Sequence, residues 1–484
     1  MIVLFNPRAT KPKNRRYPLS ILNIAAMIEG RECYQIVDGN LDSLGDGSNW
    51  AAPERPEMLA VTVMPGPQLA AAVPFCKSFR RRYPGVPIVW GGYFPSLYAD
   101  TALHAPYVDY AVRGQGEDTF VELLAAMRGG GDFSKIRGLS FKDRFGLPVH
   151  NAERPLKSPA EFPRLPYHRL DPDKYLLPTF LGSRTTVYQA SIGCPFRCNF
   201  CGVVPVYDRE KMEPAERTVA ALRDLKERYG ANAVQFYDNN FFLREEHARE
   251  LAERMEPLGM RWWCEARVDI VLGYSDDTLR RLRRAGCVMI FFGVESGSDA
   301  RLAAMKKQLR AEQIRGLARR IREFGIVPEY SFIFGAPEDP ESDTRDTIDF
   351  IRGIKQLNPD VEIVVQTYVP TPQKNGMYGG VEGEMKFPTT PDEWLSGPWF
   401  DKSIRRNPEL TWLPRRVRRR IDEFEVVMRS RWPTIQDIRL PAWGRLLLQA
   451  LSAWRYRLGI YARPFELRLA QRLVRLRQPR HESL

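Results

Sequence analysis

Apolar positions in the first 140 residues fall into short runs separated by helical stretches. IVLFN (2–6), YQIVD (34–38), MLAVTVM (58–64), PIVWGG (87–92) and YAVRG (110–114) read as strands. LSILNIAAMIE (19–29) and AAAVPFCKSFRRRY (70–83) read as helices between them. Such alternation predicts a parallel sheet covered on both faces. A second alternating series begins near Thr185. Its strands are TVYQASI (186–192), AVQFYDN (233–239), RWWCEAR (261–267), VMIFFGVE (288–295), EYSFIFG (329–335) and EIVVQTYV (362–369). The helices between them, among them 214–230 and 312–325, carry Pro214 near a start and Gly230 and Gly325 at ends, as capping favours.

This pattern divides the chain into a Rossmann-like unit (1–140), a Pro-rich, charged linker (141–183), six βα units forming a partial TIM-type (β/α)6 barrel (184–385), and a Trp- and Arg-rich, mostly helical C-terminal region (386–484). In both α/β units, ligands are expected beyond the carboxyl ends of the strands. Those ends carry Asp38-Gly39-Asn40, Gly91-Gly92 and Gly114-Gln115-Gly116-Glu117 in the first unit. Their glycines let the backbone approach a flat ligand.

Composition narrows the class. The 484 residues are 44% hydrophobic and 27% charged, a globular balance. The apolar runs fall well short of the roughly 20 residues a membrane-spanning helix needs. The N-terminus places apolar residues before basic ones, the reverse of a secretory signal, and a cytoplasmic location is expected. Seven cysteines, an odd number, argue against a disulfide framework. The formal net charge is +13. From Asp401 onward there are 20 Arg and Lys against 8 Asp and Glu, so 20 − 8 = +12 resides in the tail. A nucleic-acid enzyme would more often carry its basic surface on the active-site domain, so nucleic acid is not an expected partner.

Cys194, Cys198 and Cys201 lie within eight residues, in Gly193-Cys194-Pro195-Phe196-Arg197-Cys198-Asn199-Phe200-Cys201-Gly202, just after the first strand of the second series. The other four cysteines are scattered and read as small buried hydrophobes. Structural zinc prefers four ligands, usually as paired C-x-x-C units, and no second pair exists. Three thiolates suit a cubane iron–sulfur cluster with one open iron. Zinc and inert thiols remain the alternatives.

The C-x3-C-x2-C spacing, with an aromatic before the last cysteine, resembles the radical S-adenosylmethionine (SAM) superfamily over residues 184–385. The resemblance implies a [4Fe-4S] cluster held by Cys194, Cys198 and Cys201, with SAM on the open iron. It also implies reductive cleavage of SAM to a 5′-deoxyadenosyl radical and an electron donor of flavodoxin or ferredoxin type. Phe200 matches the aromatic near the adenine. Asp238, ending the second strand, would accept the SAM ammonium group; an N-cap role is the plain alternative. Arg267 would pair with the SAM carboxylate or form an ordinary barrel salt bridge. Glu295 and Ser296, in GVESGS, would meet the ribose hydroxyls. FIFGAPED (332–339) and YVPTP (368–372) end the last two strands at matching positions.

The first unit resembles the cobalamin-binding domain of the B12-dependent radical SAM subgroup, through Asp38 in DGN, Gly91-Gly92, and Gly114, Gly116 and Glu117 in GQGE. The D-x-H-x-x-G cobalt-ligand motif is absent, and His104 reads as a loop histidine. No GxGxxG or P-loop appears, so dinucleotide and nucleoside triphosphate readings lack support. Together the resemblances imply a cobalamin-dependent radical SAM enzyme that methylates an unactivated carbon of a small-molecule or lipid-like substrate. The alternative is a radical cyclase or oxidative rearrangement enzyme like the anaerobic Mg-protoporphyrin monomethyl ester cyclases. Residues 443–477 interleave arginine with Leu, Trp and Tyr, a pattern that suits either peripheral contact with an anionic inner-membrane face or a cover over the barrel mouth.

Overall fold

The computed structural model describes residues 1–41, 44–207, 209–368, 386–396, 399 and 412–476. Two sheets organise them. The first has seven strands in the order β2-β1-β3-β4-β5-β6-β7: β1 (Ile2–Asn6), β2 (Tyr34–Asp38), β3 (Met58–Thr62), β4 (Ile88–Gly91), β5 (Tyr110–Val112), β6 (Leu139–Lys142) and β7 (Pro148–His150). β1 to β5 are parallel, whereas β6 and β7 add an antiparallel hairpin. The central strands β1 and β3 are buried along their whole length, as expected of a sheet covered on both faces.

The hairpin corrects the linker boundary: sheet structure runs to His150, into residues expected to be irregular. The alternation there is too short to register as strands, because Pro148–His150 contributes only three half-exposed residues. The connector proper follows as single 3-10 turns. It is anchored by Tyr175, whose hydroxyl donates to Asp38 Oδ2 (2.8 Å), and by stacking of Tyr175 on Tyr17.

The second sheet has six parallel strands, ordered β8-β11-β12-β13-β14-β15: β8 (Thr185–Tyr188), β11 (Ala233–Phe236), β12 (Arg261–Ala266), β13 (Cys287–Glu295), β14 (Val327–Phe334) and β15 (Glu362–Thr367). Monotonic order with helices between successive strands gives an open, partial (β/α)6 barrel. The expected strand 186–192 is in fact two. After β8 the chain turns into β9 (Ser191–Gly193), which pairs antiparallel with β10 (Glu210–Met212). The cysteines occupy the excursion of this hairpin. Gly193 is obligatory at its neck: its φ is +82°, and a Cβ there would lie 2.1 Å from the Arg209 carbonyl oxygen.

The C-terminal region also divides in two. Residues 386–396 return to the first unit, where Trp394 is buried against Phe94 and Tyr98 and Tyr107 donates to Asp392 (3.1 Å). Residues 412–476 pack on the barrel as three helices, Arg415–Arg431, Ala442–Leu458 and Phe465–Leu473. The turn after the first of these plugs the barrel floor. Gln436 Nε2 donates to Glu329 Oε1 (2.7 Å) and Glu362 Oε2 (3.0 Å), at the start of β14 and β15. Trp263 Nε1 donates to the other Glu329 oxygen (3.0 Å), and the Ile435 amide to the other Glu362 oxygen (2.6 Å). Burial, then the neighbouring Glu329, pushes Glu362 up to about 8. Trp412, just before the first helix, instead reaches the opposite ends of the strands, where its Nε1 donates to the Gly335 carbonyl (3.3 Å).

Candidate functional site at the barrel mouth

The cysteine loop lies across the carboxyl ends of the barrel strands. Its Asn199 amide donates to the Met305 carbonyl (3.2 Å) and Asn199 Nδ2 to the Ala304 carbonyl (2.9 Å). Phe200 packs against Met305, Ile333, Ala336 and Tyr368, at the ends of β14 and β15. Beyond Tyr368, residues 369–372 of YVPTP lie outside the described residues.

Arg267, one residue past β12, joins the loop to the barrel. It is buried, and its guanidinium carbon sits 3.6 Å from the centre of the Phe196 ring. Nη1 lies 3.8 Å from Cys198 Sγ. Nε and Nη2 donate to the Asp269 carboxylate (3.0 and 3.1 Å), and Nη2 also donates to the Lys307 carbonyl (2.6 Å). Every nitrogen of Arg267 is thus engaged, and the cation is held beside a thiol.

Glu295 ends β13 at a register shift, with φ +68°. A left-handed glutamate at a strand end is held there by its surroundings. It accepts from Lys307 Nζ (3.0 Å), and both groups are more than nine-tenths buried. A Cβ on Gly293 would sit 2.4 Å from Glu295 Oε1 and 2.9 Å from Lys307 Nζ, so a larger residue there would displace the pair. Lys307 also lies 5.6 Å from the Phe200 ring centre. Ser296 is buried next to Glu295, on the edge of a cavity of about 710 Å³ that Arg301, Asp339 and Asp343 also line.

Asp238 is buried beyond β11. Its Oδ1 accepts from the Ser191 amide and from Ser191 Oγ (2.7 Å), which fixes β9, the strand that leads into the cysteines. Its Oδ2 is buried without a partner, and burial pushes the carboxyl up to about 8. The carboxyl is therefore turned toward the cysteine hairpin. The N-cap alternative does not hold, because the following helix, Glu245–Met255, has Arg244 at its cap position.

Among the described residues, no three His, Cys, Asp or Glu side chains converge as the donors of a metal ion do. The residues nonetheless fit a soft cluster in donor type and setting. Burial raises Cys194, and pushes Cys201 up to about 11; in each case Cys198 adds to the rise and Lys307 opposes it. The backbone N–H groups of Phe196 and Val203 favour the thiolates of Cys194 and Cys201. Neighbouring buried thiols that resist losing protons to water give them up to a multivalent cation.

Immediately after the cysteines, the chain meets the first unit. A Cβ on Gly202 would lie 3.3 Å from the Tyr93 ring, and one on Gly114 would lie 4.0 Å from the Val206 carbonyl oxygen. Tyr93 follows Gly91-Gly92 at the end of β4. The carboxyl ends of both sheets therefore face one another across residues 202–207. Gly92 has φ +93°, and a Cβ would approach Thr62 Oγ1 and the Val63 backbone to 3.0–3.2 Å. A Cβ on Gly91 would find nothing nearer than Val112 at 4.0 Å, and one on Gly116 would lie 3.1 Å from Val112. Glu117 opens the helix Glu117–Gly129 and is buried, which pushes its carboxyl up to about 7.

Asp38 is held by partners within the first unit and the connector. Its Oδ1 accepts from Asn6 Nδ2 (2.8 Å) and from Asn40 N and Nδ2 (3.0 and 2.9 Å), and its Oδ2 is taken by Tyr175. It fastens the connector to the sheet. His104 Nδ1 is 3.0 Å from the Thr389 carbonyl, on the returning segment, so it too has a structural partner. Lys307 is the main residue that the sequence did not reveal. It stands in a stretch without periodic signal, and the fold alone brings it to Glu295. Phe196 lay within the motif, but its stacking with Arg267 needs the tertiary structure.

A model of the radical SAM superfamily matches residues 188–351, and one of the B12 binding domain matches residues 7–124. An uncharacterized methyltransferase of Pyrococcus horikoshii, PH0819, is 28% identical over 345 residues, covering 69% of this chain and 73% of that protein. An anaerobic magnesium-protoporphyrin IX monomethyl ester cyclase of Synechocystis sp. is 27% identical over 311 residues, 63% of this chain and 60% of that protein. Among solved structures, the radical SAM methyltransferase TsrM of Kitasatospora setae, with cobalamin and [4Fe-4S] cluster bound, superposes with a TM-score of 0.64 at 18% identity. That match covers 80% of this chain and 76% of TsrM, and it speaks for the fold. The two sheets facing each other across the cysteine loop thus carry a match to the B12 binding domain and a match to the radical SAM superfamily, in a fold shared with TsrM.

Proposed function

We propose that the protein is a C-methyltransferase that cleaves SAM reductively and methylates an unactivated carbon of a small-molecule or lipid-like substrate. The observation that carries this reading is the apposition of the two sheets across residues 202–207, which sets the cysteine loop against the glycine-lined edge of the first unit. When bound, the cluster, SAM and cobalamin supply a radical and a transferable methyl group; the protein positions them and excludes water.

In this reading Cys194, Cys198 and Cys201 hold the cluster, and Arg267 and Lys307 balance the negative charge of the thiolates. Phe200, with Ile333 and Tyr368, closes the mouth to solvent. Glu295 and Ser296 take the ribose side of SAM, with Lys307 orienting Glu295. The unpartnered Oδ2 of Asp238 offers an acceptor to an ammonium group. Gly91, Gly92, Gly114, Gly116 and Glu117 form the edge for cobalamin. An electron donor of flavodoxin or ferredoxin type is required.

Anaerobic reconstitution tests the reading, with iron and cobalamin measured and 5′-deoxyadenosine assayed after reduction in the presence of SAM. Product mass then separates the reactions: methyl transfer adds one CH2 unit, whereas cyclisation adds none. The cyclase alternative is kept because the Synechocystis cyclase aligns over nearly as much of the chain as the Pyrococcus methyltransferase.

A further inference from the structure

Among the described residues, nothing covers an apolar surface on the C-terminal helices. Ala442–Leu458 and Phe465–Leu473 run antiparallel: Gly444 lies against Val474 at one end, and Arg455 pairs with Glu466 at the other. Leu448, Ala470, Val474 and Leu476 form the seam between them. On the outward side, Trp443, Leu446, Leu447, Trp454 and Leu458 recur at helical spacing, and Phe465, Leu469 and Leu473 continue the stripe on the second helix. Leu446, Phe465 and Leu473 are each 67–69% exposed, and Trp443 is 60% exposed. A contiguous outward row of Trp, Phe and Leu costs solubility and marks a contact surface.

The charge around this row identifies what it contacts. Residues 442–476 contain seven arginines and one acid, Glu466. Glu466 is paired with Arg455, which also donates to the Ala462 carbonyl (2.9 Å), so these two charges offset each other. Arg457, Arg463, Arg472 and Arg475 are exposed beside the apolar row. Such a face, apolar in the middle and cationic around it, fits the boundary between lipid headgroups and acyl chains. It does not fit a second copy of the chain, which would bring the same arginines together. Nucleic acid would need cations along the centre of the face, where Trp and Leu stand instead. Among the described residues no helix is long and apolar enough to cross a membrane, so the contact is in the plane of the bilayer.

We propose that the outward face of Ala442–Leu458 and Phe465–Leu473 docks the protein on an anionic lipid bilayer. This inference is independent of which reaction the barrel catalyses. The test is flotation of the full-length protein with vesicles of phosphatidylcholine containing phosphatidylglycerol, against vesicles of phosphatidylcholine alone. Binding to the anionic vesicles is expected, and it should weaken as salt is raised. Leu446→Glu with Leu469→Glu should lower the partition coefficient about tenfold or more. Both side chains are exposed, so the melting temperature should be unchanged. Arg457→Gln with Arg472→Gln should weaken binding to the anionic vesicles and leave the neutral ones unaffected. Failure of the wild type to float, or equal flotation of the Glu variant, would overturn the proposal. So would a dimer seen by sedimentation velocity that the Glu variant dissolves while the wild type ignores vesicles.

Discussion

The two ends of the barrel strands both bury charge, and they handle it in opposite ways. At the mouth stand two buried ion pairs, Lys307 with Glu295 and Asp269 with Arg267. At the floor two carboxyls, Glu329 and Glu362, share one neutral amide, Gln436, and burial pushes both upward. A carboxyl that keeps its proton can be a packing element, hydrogen-bonded like any amide. At the mouth Glu295 is paired with Lys307 instead, beside the cavity that Ser296 lines. The floor is therefore built for cohesion and the mouth for binding, although the same six strands carry both.

Four experiments would break or sharpen this contrast. Cys198→Ala should have the largest effect: iron binding and 5′-deoxyadenosine formation are lost, while bound cobalamin and the unfolding midpoint stay near wild type. Loss of cobalamin together with iron would mean that the two sites are not separate. Lys307→Met comes next, since it strands a buried carboxylate. Chemical denaturation should show a loss of about 3–5 kcal/mol. Adding Glu295→Gln to that variant should recover much of the loss, because the unpaired charge is removed. Gln436→Ala should cost about 1–3 kcal/mol by leaving buried acceptors unsatisfied, with iron binding and SAM cleavage unchanged. An effect of Gln436→Ala on SAM cleavage would undo the division between floor and mouth.

The smallest effect concerns pH. Glu362 rises from 4.5 in the unfolded chain to about 8 when folded, so the folded protein binds the extra proton between those values. Its contribution to stability is full below about pH 4.5 and is lost as pH rises through 8. Lys355, pushed down to about 7 by burial, acts in the opposite sense and only above that pH. Urea midpoints measured from pH 5 to pH 7 should fall less steeply for Glu362→Gln than for the wild type.

The sheet strands were legible in the sequence because each apolar run is bounded by Gly, Pro or charge, and β2 and β12 begin where the pattern places them. Strand ends then locate Glu295 and Arg267 at the mouth without further information. The hairpin β9–β10 was not legible, since three-residue strands leave no periodic trace and pair only through tertiary contact. Lys307 escaped for a related reason: its partner lies on another element, and local sequence carries no sign of it. The fastening of Asp38 to Tyr175 was not legible, because an Asp-Gly-Asn strand end suits a ligand and an internal fastening equally. The C-terminal region read as one basic tail because its composition changes only once, whereas its packing changes partner between Trp394 and Trp412.

That change of partner has a mechanical consequence. The chain passes from the B12 binding domain to the barrel through the connector after His150, and then comes back to lay Trp394 against Phe94 and Tyr98. The two domains are thus joined twice, like a lid with two hinges, so a single cut does not free either half. A protease nick between residues 151 and 184 should leave both fragments co-migrating in native gel filtration. Trp394→Ala in the nicked protein should release them.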